Sequence, residues 1–197
     1  MLDSEPSANG FATEQVDLAD CRRTEAAVEH AAERCGGIWA VVACAGADAP
    51  GRIDGVTAED WERVVQVNLL GTAAVVRAAL PFLLAEPGRI VTVASTLGHR
   101  TFAGATAHWV SQFGLVGLVR ALTAELRGDD IGVTMLTPGG MQTGFFAGHA
   151  ELYQPPADLD LCPPDAVAEA VVFALSTPSD CELRELVVTP PHESPLP

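Results

Sequence analysis

The sequence predicts an α/β fold built around a parallel β-sheet, on two main observations. Short β-rich apolar runs alternate with longer helical patterns along the 197 residues, as strand–helix–strand units require. The run 39–45 is apolar at nearly every position, which suits a strand buried on both faces. No internal repeat and no linker divides the chain, so 1–197 reads as one domain. Its core spans about 11–189, and the tail at 190–197 is too Pro-rich to fold alone.

The elements follow in order. Residues 11–17 form a weak first strand. Asp20 is placed to N-cap a helix running to about Arg34, which Gly36-Gly37 stops. After the strand at 39–45, Thr57 with Asp60 three residues on starts a long helix reaching about Leu84 and bending near Pro81. A strand at 89–94, a helix from about Thr106 to Arg127 and a strand at 132–137 come next. Pro138-Gly139-Gly140 closes that strand. Cys162-Pro163-Pro164-Asp165 leads into a helix ending near Leu175, and a last strand lies at 185–189.

Composition narrows the function. The formal net charge is −15, all 11 basic residues are Arg, and there is a single Tyr, Tyr153. A chain without Lys has no Schiff-base lysine, no P-loop lysine and no Tyr–Lys catalytic pair. The negative charge argues against nucleic acid or an anionic membrane as a partner. No apolar run approaches the roughly 20 residues that span a bilayer. The polar, acidic first ten residues resemble no leader peptide. Five Cys without paired spacing read as reduced thiols, so a cytoplasmic location is expected. The five His show no metal-ligand spacing.

Several segments together resemble the classical short-chain dehydrogenase/reductase family. They are Ala43-Cys44-Ala45-Gly46, Asp60-Trp61, Val67-Asn68-Leu69-Leu70-Gly71-Thr72, Val91-Thr92-Val93-Ala94-Ser95, Pro138-Gly139 with Thr143, and Arg184-Glu185-Leu186-Val187-Val188-Thr189. The resemblance runs from about Phe11 to Thr189 and implies a Rossmann-like, doubly wound parallel sheet that binds a nicotinamide cofactor above its C-terminal strand ends. In that family a Tyr is the general acid/base, a Lys lowers its pKa and holds the ribose, a Ser polarises the carbonyl and an Asn completes a proton relay. Asn68 matches the Asn and Ser95 the Ser. His108 stands at the Tyr position and Gln112 at the Lys position. On the cofactor side the resemblance implies Asp17 near the adenine, Ala45 and Gly46 along the cofactor loop, and Thr143 at the carboxamide.

The chain departs from the family twice. Gln112 carries no charge, whereas His108, with a free pKa near 6.5, exchanges protons close to neutrality. The sequence also shows no Gly-rich loop upstream of a helix, and Met1-Leu2-Asp3 resembles the tail of the family's second strand. The expected sheet therefore lacks the first strand, the Gly-rich loop and most of the second strand. In the family strand order 3-2-1-4-5-6-7, removing two strands leaves a gap of roughly 14 Å. The strand at 11–17 must then pair with the strand at 39–45, detach, or find another chain.

Three functions remain open on the sequence. The first is a non-catalytic or auxiliary subunit that has lost autonomous NAD(P)-dependent hydride transfer. The second is a cyclase, dehydratase or isomerase using Ser95 and His108 on a small-molecule substrate. The third is an NAD(P)-dependent oxidoreductase of small carbonyls or alcohols whose N-terminus is missing from the gene model. NAD(P) binding is thus expected only if the site survives. The helices at 58–84 and 106–127 are apolar almost all round, more than covering one sheet face needs. They predict a homo-oligomer, or a hetero-oligomer with an intact family member. Arg100, just beyond Ser95, is placed to hold an anionic substrate.

Overall fold

The computed structural model describes residues 1–4, 12–85, 88–101, 103–157, 159–178 and 180–193. In chain order the main elements are β1 (Leu2–Asp3), β2 (Glu14–Gln15), α1 (Cys21–Cys35), β3 (Ala40–Ala43), α2 (Ala58–Val65), α3 (Thr72–Leu83), β4 (Arg89–Val93), α4 (Thr106–Glu125), β5 (Gly132–Pro138), α5 (Pro164–Leu175) and β6 (Glu185–Val188). Strands β3, β4, β5 and β6 form a parallel sheet in that order, with Val41 opposite Ile90 and Ile90 opposite Val133.

Alternation along the strands explains two cores on one sheet. Ile90, Val133 and Met135 join Val28, Ala79, Leu83 and Val119 beneath α1, α3 and α4. Their neighbours Val91 and Leu136 turn the other way, to Val167 and Ala174 of α5. All seven residues of β5 are buried, as a strand covered on both faces should be.

The strand expected at 11–17 contracts to Glu14–Gln15, and Phe11 lies outside the described residues. It does not pair with β3. It joins Leu2–Asp3 in a separate parallel two-stranded sheet, closed by bonds from the N–H groups of Glu14 and Val16 to the carbonyls of Met1 and Asp3, both 2.9 Å. Of the three expected outcomes, detachment from the main sheet is the one observed, because the first residues supply a partner. Leu2 meanwhile packs on the larger core. Strand β3, expected from the apolar run 39–45 to be buried on both faces, instead lies at the edge of the four-stranded sheet with Val42 41% exposed, because no described strand or helix covers its outer side.

Local chemistry sets the helix ends. Asp20 accepts from the N–H groups of Arg22 and Arg23, and Gly36 ends α1 at φ 77°. Thr57 accepts from Asp60 N–H, and its hydroxyl donates to the Asp60 carboxylate at 2.7 Å. Pro164 starts α5, where its missing N–H costs nothing. The irregularity expected near Pro81 falls elsewhere. Pro81 lies inside α3, and a π-helical turn at Gln66–Gly71 separates α2 from α3. Such a turn adds a residue to the winding and re-aims a side chain, here Asn68, which is fully buried.

The continuous helical stretch Ala58–Leu83 is, by length and composition, long and apolar enough to cross a membrane, which the absence of a long unbroken apolar run did not anticipate. Half of its apolar window is buried inside the protein, the pattern of a core helix.

Gly71 packs this helix against the turn between β2 and α1, because a Cβ there would lie 2.6 Å from the Leu18 carbonyl oxygen and 2.9 Å from Leu18 Cβ. Gly71→Ala should cost about 1–3 kcal/mol through this overpacking, outweighing a helix-propensity gain of at most about 1 kcal/mol. Urea unfolding of the two proteins checks it.

Candidate active site

The candidate site lies where the loop after β3 meets the first turns of α4. Asn68 organises it. Its Oδ1 accepts from Ala47 N–H at 2.7 Å, and its Nδ2 donates to the Ala47 carbonyl at 2.9 Å and to Ser111 Oγ at 3.0 Å. Ser111 in turn donates to the His108 carbonyl at 2.8 Å. One buried amide thus joins the π-helical turn, the post-β3 loop and α4, and brings Gly46, Asn68 and His108 together around Ala47.

His108 is 6% exposed. Its Nδ1 is buried without a hydrogen bond and faces Asp48 Oδ1 at 3.9 Å, while Phe145 stands edge-on with ring centroids 5.7 Å apart. Burial lowers the His108 pKa from its ordinary 6.5 and outweighs Asp48 and a hydrogen bond to the Ala47 backbone, which raise it; His149 lowers it further. His108 is therefore neutral at pH 7.

Gln112, one turn on, is 5% exposed, with its side-chain oxygen buried and unpartnered. Its backbone carbonyl abuts Gly98, where a Cβ would come within 3.1 Å. Gly98 ends a short 3-10 turn, Thr96–Gly98, that Ser95 caps by accepting from Leu97 N–H at 3.1 Å. Ser95 thereby stands at the end of β4, on the turn that packs against α4 at Gln112.

Asp48 and Phe145, the two neighbours of His108, line a cleft of about 720 Å³ between the post-β3 loop and residues 144–153. Gly46, Asp48, Asp60, Phe145, His149 and Tyr153 are among its lining residues, and no Arg is. Asp48, Phe145 and His149 were not singled out from the sequence. The Asp48–His108 pair spans sixty residues, so no local spacing announces it. Among the described residues no group of three or more His, Cys, Asp and Glu side chains could hold a metal ion.

The residues aligned with cofactor contacts are placed less favourably. Asp17 pairs with Arg63 at 2.9 Å and accepts from Ala19 N–H at 3.0 Å, and the Arg63 bond holds its carboxyl below the usual range. Thr143 is exposed and caps Gly144–Phe146 by accepting from Phe145 N–H. Ala45, Gly46 and also Cys44 are exposed, because no described element covers this end of β3. A dinucleotide carries an anionic pyrophosphate. A cleft walled by Asp48 and Asp60, with no Arg among its lining residues, does not fit it.

The comparisons agree with this architecture. The short chain dehydrogenase family model matches residues 3–152, and the chain belongs to that family. It is 28% identical over 195 residues to glycine betaine reductase ATRR of Emericella nidulans, covering 95% of this chain and spanning only 15% of that protein. An uncharacterized oxidoreductase of Staphylococcus aureus is 27% identical over 175 residues, 88% of this chain and 74% of that protein. Among solved structures, an alcohol dehydrogenase from Thermococcus sibiricus complexed with 5-hydroxy-NADP superposes with TM-score 0.83 at 25% identity, over 93% of this chain and 76% of that one. The ligand-free aldohexose dehydrogenase of Thermoplasma acidophilum superposes with TM-score 0.84 at 20% identity, over 98% and 86%, and shares the fold.

The His108 environment makes a pH prediction. With its folded-state pKa below 6.5, the folded protein binds fewer protons near that pH than the unfolded chain. The stability linked to His108 is complete above about pH 6.5 and is lost as pH falls through the folded-state value. Urea midpoints at pH 7.5 and 5.5 should drop more for the native chain than for His108→Gln; equal drops would contradict it.

Proposed function

We propose that this short chain dehydrogenase scaffold has lost autonomous NAD(P)-dependent hydride transfer and acts as an auxiliary subunit. The observation that carries this reading is the neutral pair at the family's Tyr and Lys positions, a buried His108 and an uncharged, unpartnered Gln112. Reducing a carbonyl by hydride transfer needs a proton delivered to the developing alkoxide. In the family a neighbouring ammonium sharpens that delivery and holds the ribose. An amide supplies no charge, and a neutral imidazole close to a backbone carbonyl is poorly placed to replace a phenol. The relatives named as reductase and oxidoreductase support an oxidoreductase ancestry.

Leu70, Val110 and Phe113 are 47%, 49% and 46% exposed, and Gly114 beside them packs on Leu69. Large apolar side chains concentrated on one helix pair suit a subunit contact. We assign this face of 58–84 and 106–127 to a second copy or an intact family member. The five unpaired thiols suit a reducing cytoplasm.

A second reading, proton-transfer chemistry without redox, is favoured by the His108–Asp48 pair at 3.9 Å beside an open cleft. There His108 is the general base, Asp48 orients and stabilises the imidazolium, and Ser95 lends a hydrogen bond.

With NADH or NADPH and a panel of small aldehydes and ketones, the purified chain should oxidise no cofactor above background. Turnover that disappears on Ser95→Ala would overturn the first reading and establish the oxidoreductase one. For the contact, Phe113→Glu should shift the native oligomer toward monomer by sedimentation at micromolar concentration. An unchanged distribution would remove this face from the assembly.

A further inference from the structure

We propose that Thr96, Arg100 and Gly139 form a carboxylate-binding site, closed in this structure by the chain's own Glu193, and that a small-molecule carboxylate takes the place of Glu193 when the tail turn opens. The tail reverses after β6 through a turn in which Glu193 N–H donates to the Pro190 carbonyl at 3.1 Å. This brings Glu193 across the carboxyl ends of β4 and β5. Its Oε1 accepts from Thr96 Oγ1 at 2.9 Å and pairs with the Arg100 guanidinium. Its Oε2 lies directly over Gly139, where any Cβ would collide with it.

The geometry is that of a recognition site rather than a loose surface pair. Thr96 is 2% exposed, and the Glu193 and Arg100 side chains are 14% and 28% exposed. A guanidinium and a hydroxyl converging on one oxygen, above a floor that only glycine leaves open, fit a flat carboxylate. The site adjoins Ser95 and lies at the strand ends where open α/β sheets bind ligands. One Arg of 11 is committed here in a chain of net charge −15, so the site offers a local cation in an otherwise repelling field.

A tethered occupant competes as an internal ligand at an effective concentration in the millimolar range. An added carboxylate therefore binds weakly to the native chain and more tightly once Glu193 is removed. The experiment is acetate titration of the whole 197-residue chain, read by thermal unfolding and by NMR line broadening, with acetamide as the neutral control. Glu193→Ala should unfold at a lower temperature than the native chain and be stabilised by acetate but not acetamide. Its acetate dissociation constant should be about tenfold lower than the native one. Adding Arg100→Gln to Glu193→Ala should abolish the saturable response.

Glu193→Gln, which keeps the side chain's size but removes its charge, serves if the alanine variant fails to fold, and should show the same acetate dependence. Acetate responses equal in the native chain, the Glu193 variants and the Arg100→Gln combination would overturn the proposal. So would no acetate-specific response in either Glu193 variant, leaving Glu193 as a structural anchor.

Discussion

The arrangement of the candidate site depends on one buried amide. Asn68 satisfies both backbone groups of Ala47 and also reaches Ser111. No other side-chain type with that reach supplies an acceptor and two donors without charge. The π-helical turn aims the amide inward. An ordinary α-helical winding through Gln66–Gly71 would rotate it away from the loop. Unpaired, the Ala47 and Ser111 groups would each lose about 1–3 kcal/mol of compensation where water is excluded. The post-β3 loop, one wall of the cleft, would then keep fewer ties to α4. The position of His108 against Asp48 follows from this tie, since both residues adjoin groups that Asn68 holds.

That scaffold is the family's, but the charges set on it are different. A short chain dehydrogenase places a cation one turn beyond its acid/base group; here that turn carries Gln112, and the nearest formal charge to His108 is the carboxylate of Asp48. The change reverses the sign of the local field. A negative wall favours a cationic or neutral ligand, and it disfavours a pyrophosphate. The core, packed through Ile90, Val133 and Leu136, is built independently of these site charges.

What the sequence made legible were features decided locally. Asp20, Gly36, Thr57 and Pro164 set helix ends through groups a few residues away, so their roles could be read from order alone. The apolar run 39–45 announced a strand of the sheet but not its place in it: β3 lies at the edge with Val42 41% exposed, and the strand buried along its whole length is β5. The resemblance pointed to Asn68, Ser95, His108 and Gln112, which lie in the π-helical turn, just beyond β4 and in α4. Contacts closed by tertiary structure were not legible. Asp48 meets His108 across sixty residues, and Glu193 meets Arg100 across ninety-three. The helix irregularity was expected at Pro81 because proline is a visible breaker. It falls at Gln66–Gly71 because the packing of Asn68 and of Gly71 against Leu18 outweighs local preference. The pairing of Leu2–Asp3 with Glu14–Gln15 was missed for a related reason: two-residue strands carry no periodicity.

The measurement that bears most directly on this account is a titration of the chain with NADH and NADPH, followed by energy transfer from tryptophan to the nicotinamide. Trp109 immediately follows His108 in α4 and is buried, so a nicotinamide in the cleft would quench it. The account predicts no saturable transfer with either cofactor up to millimolar concentration. Saturation with a dissociation constant below about 100 μM, near −5.5 kcal/mol, would contradict it by showing that the acidic cleft still accepts a dinucleotide.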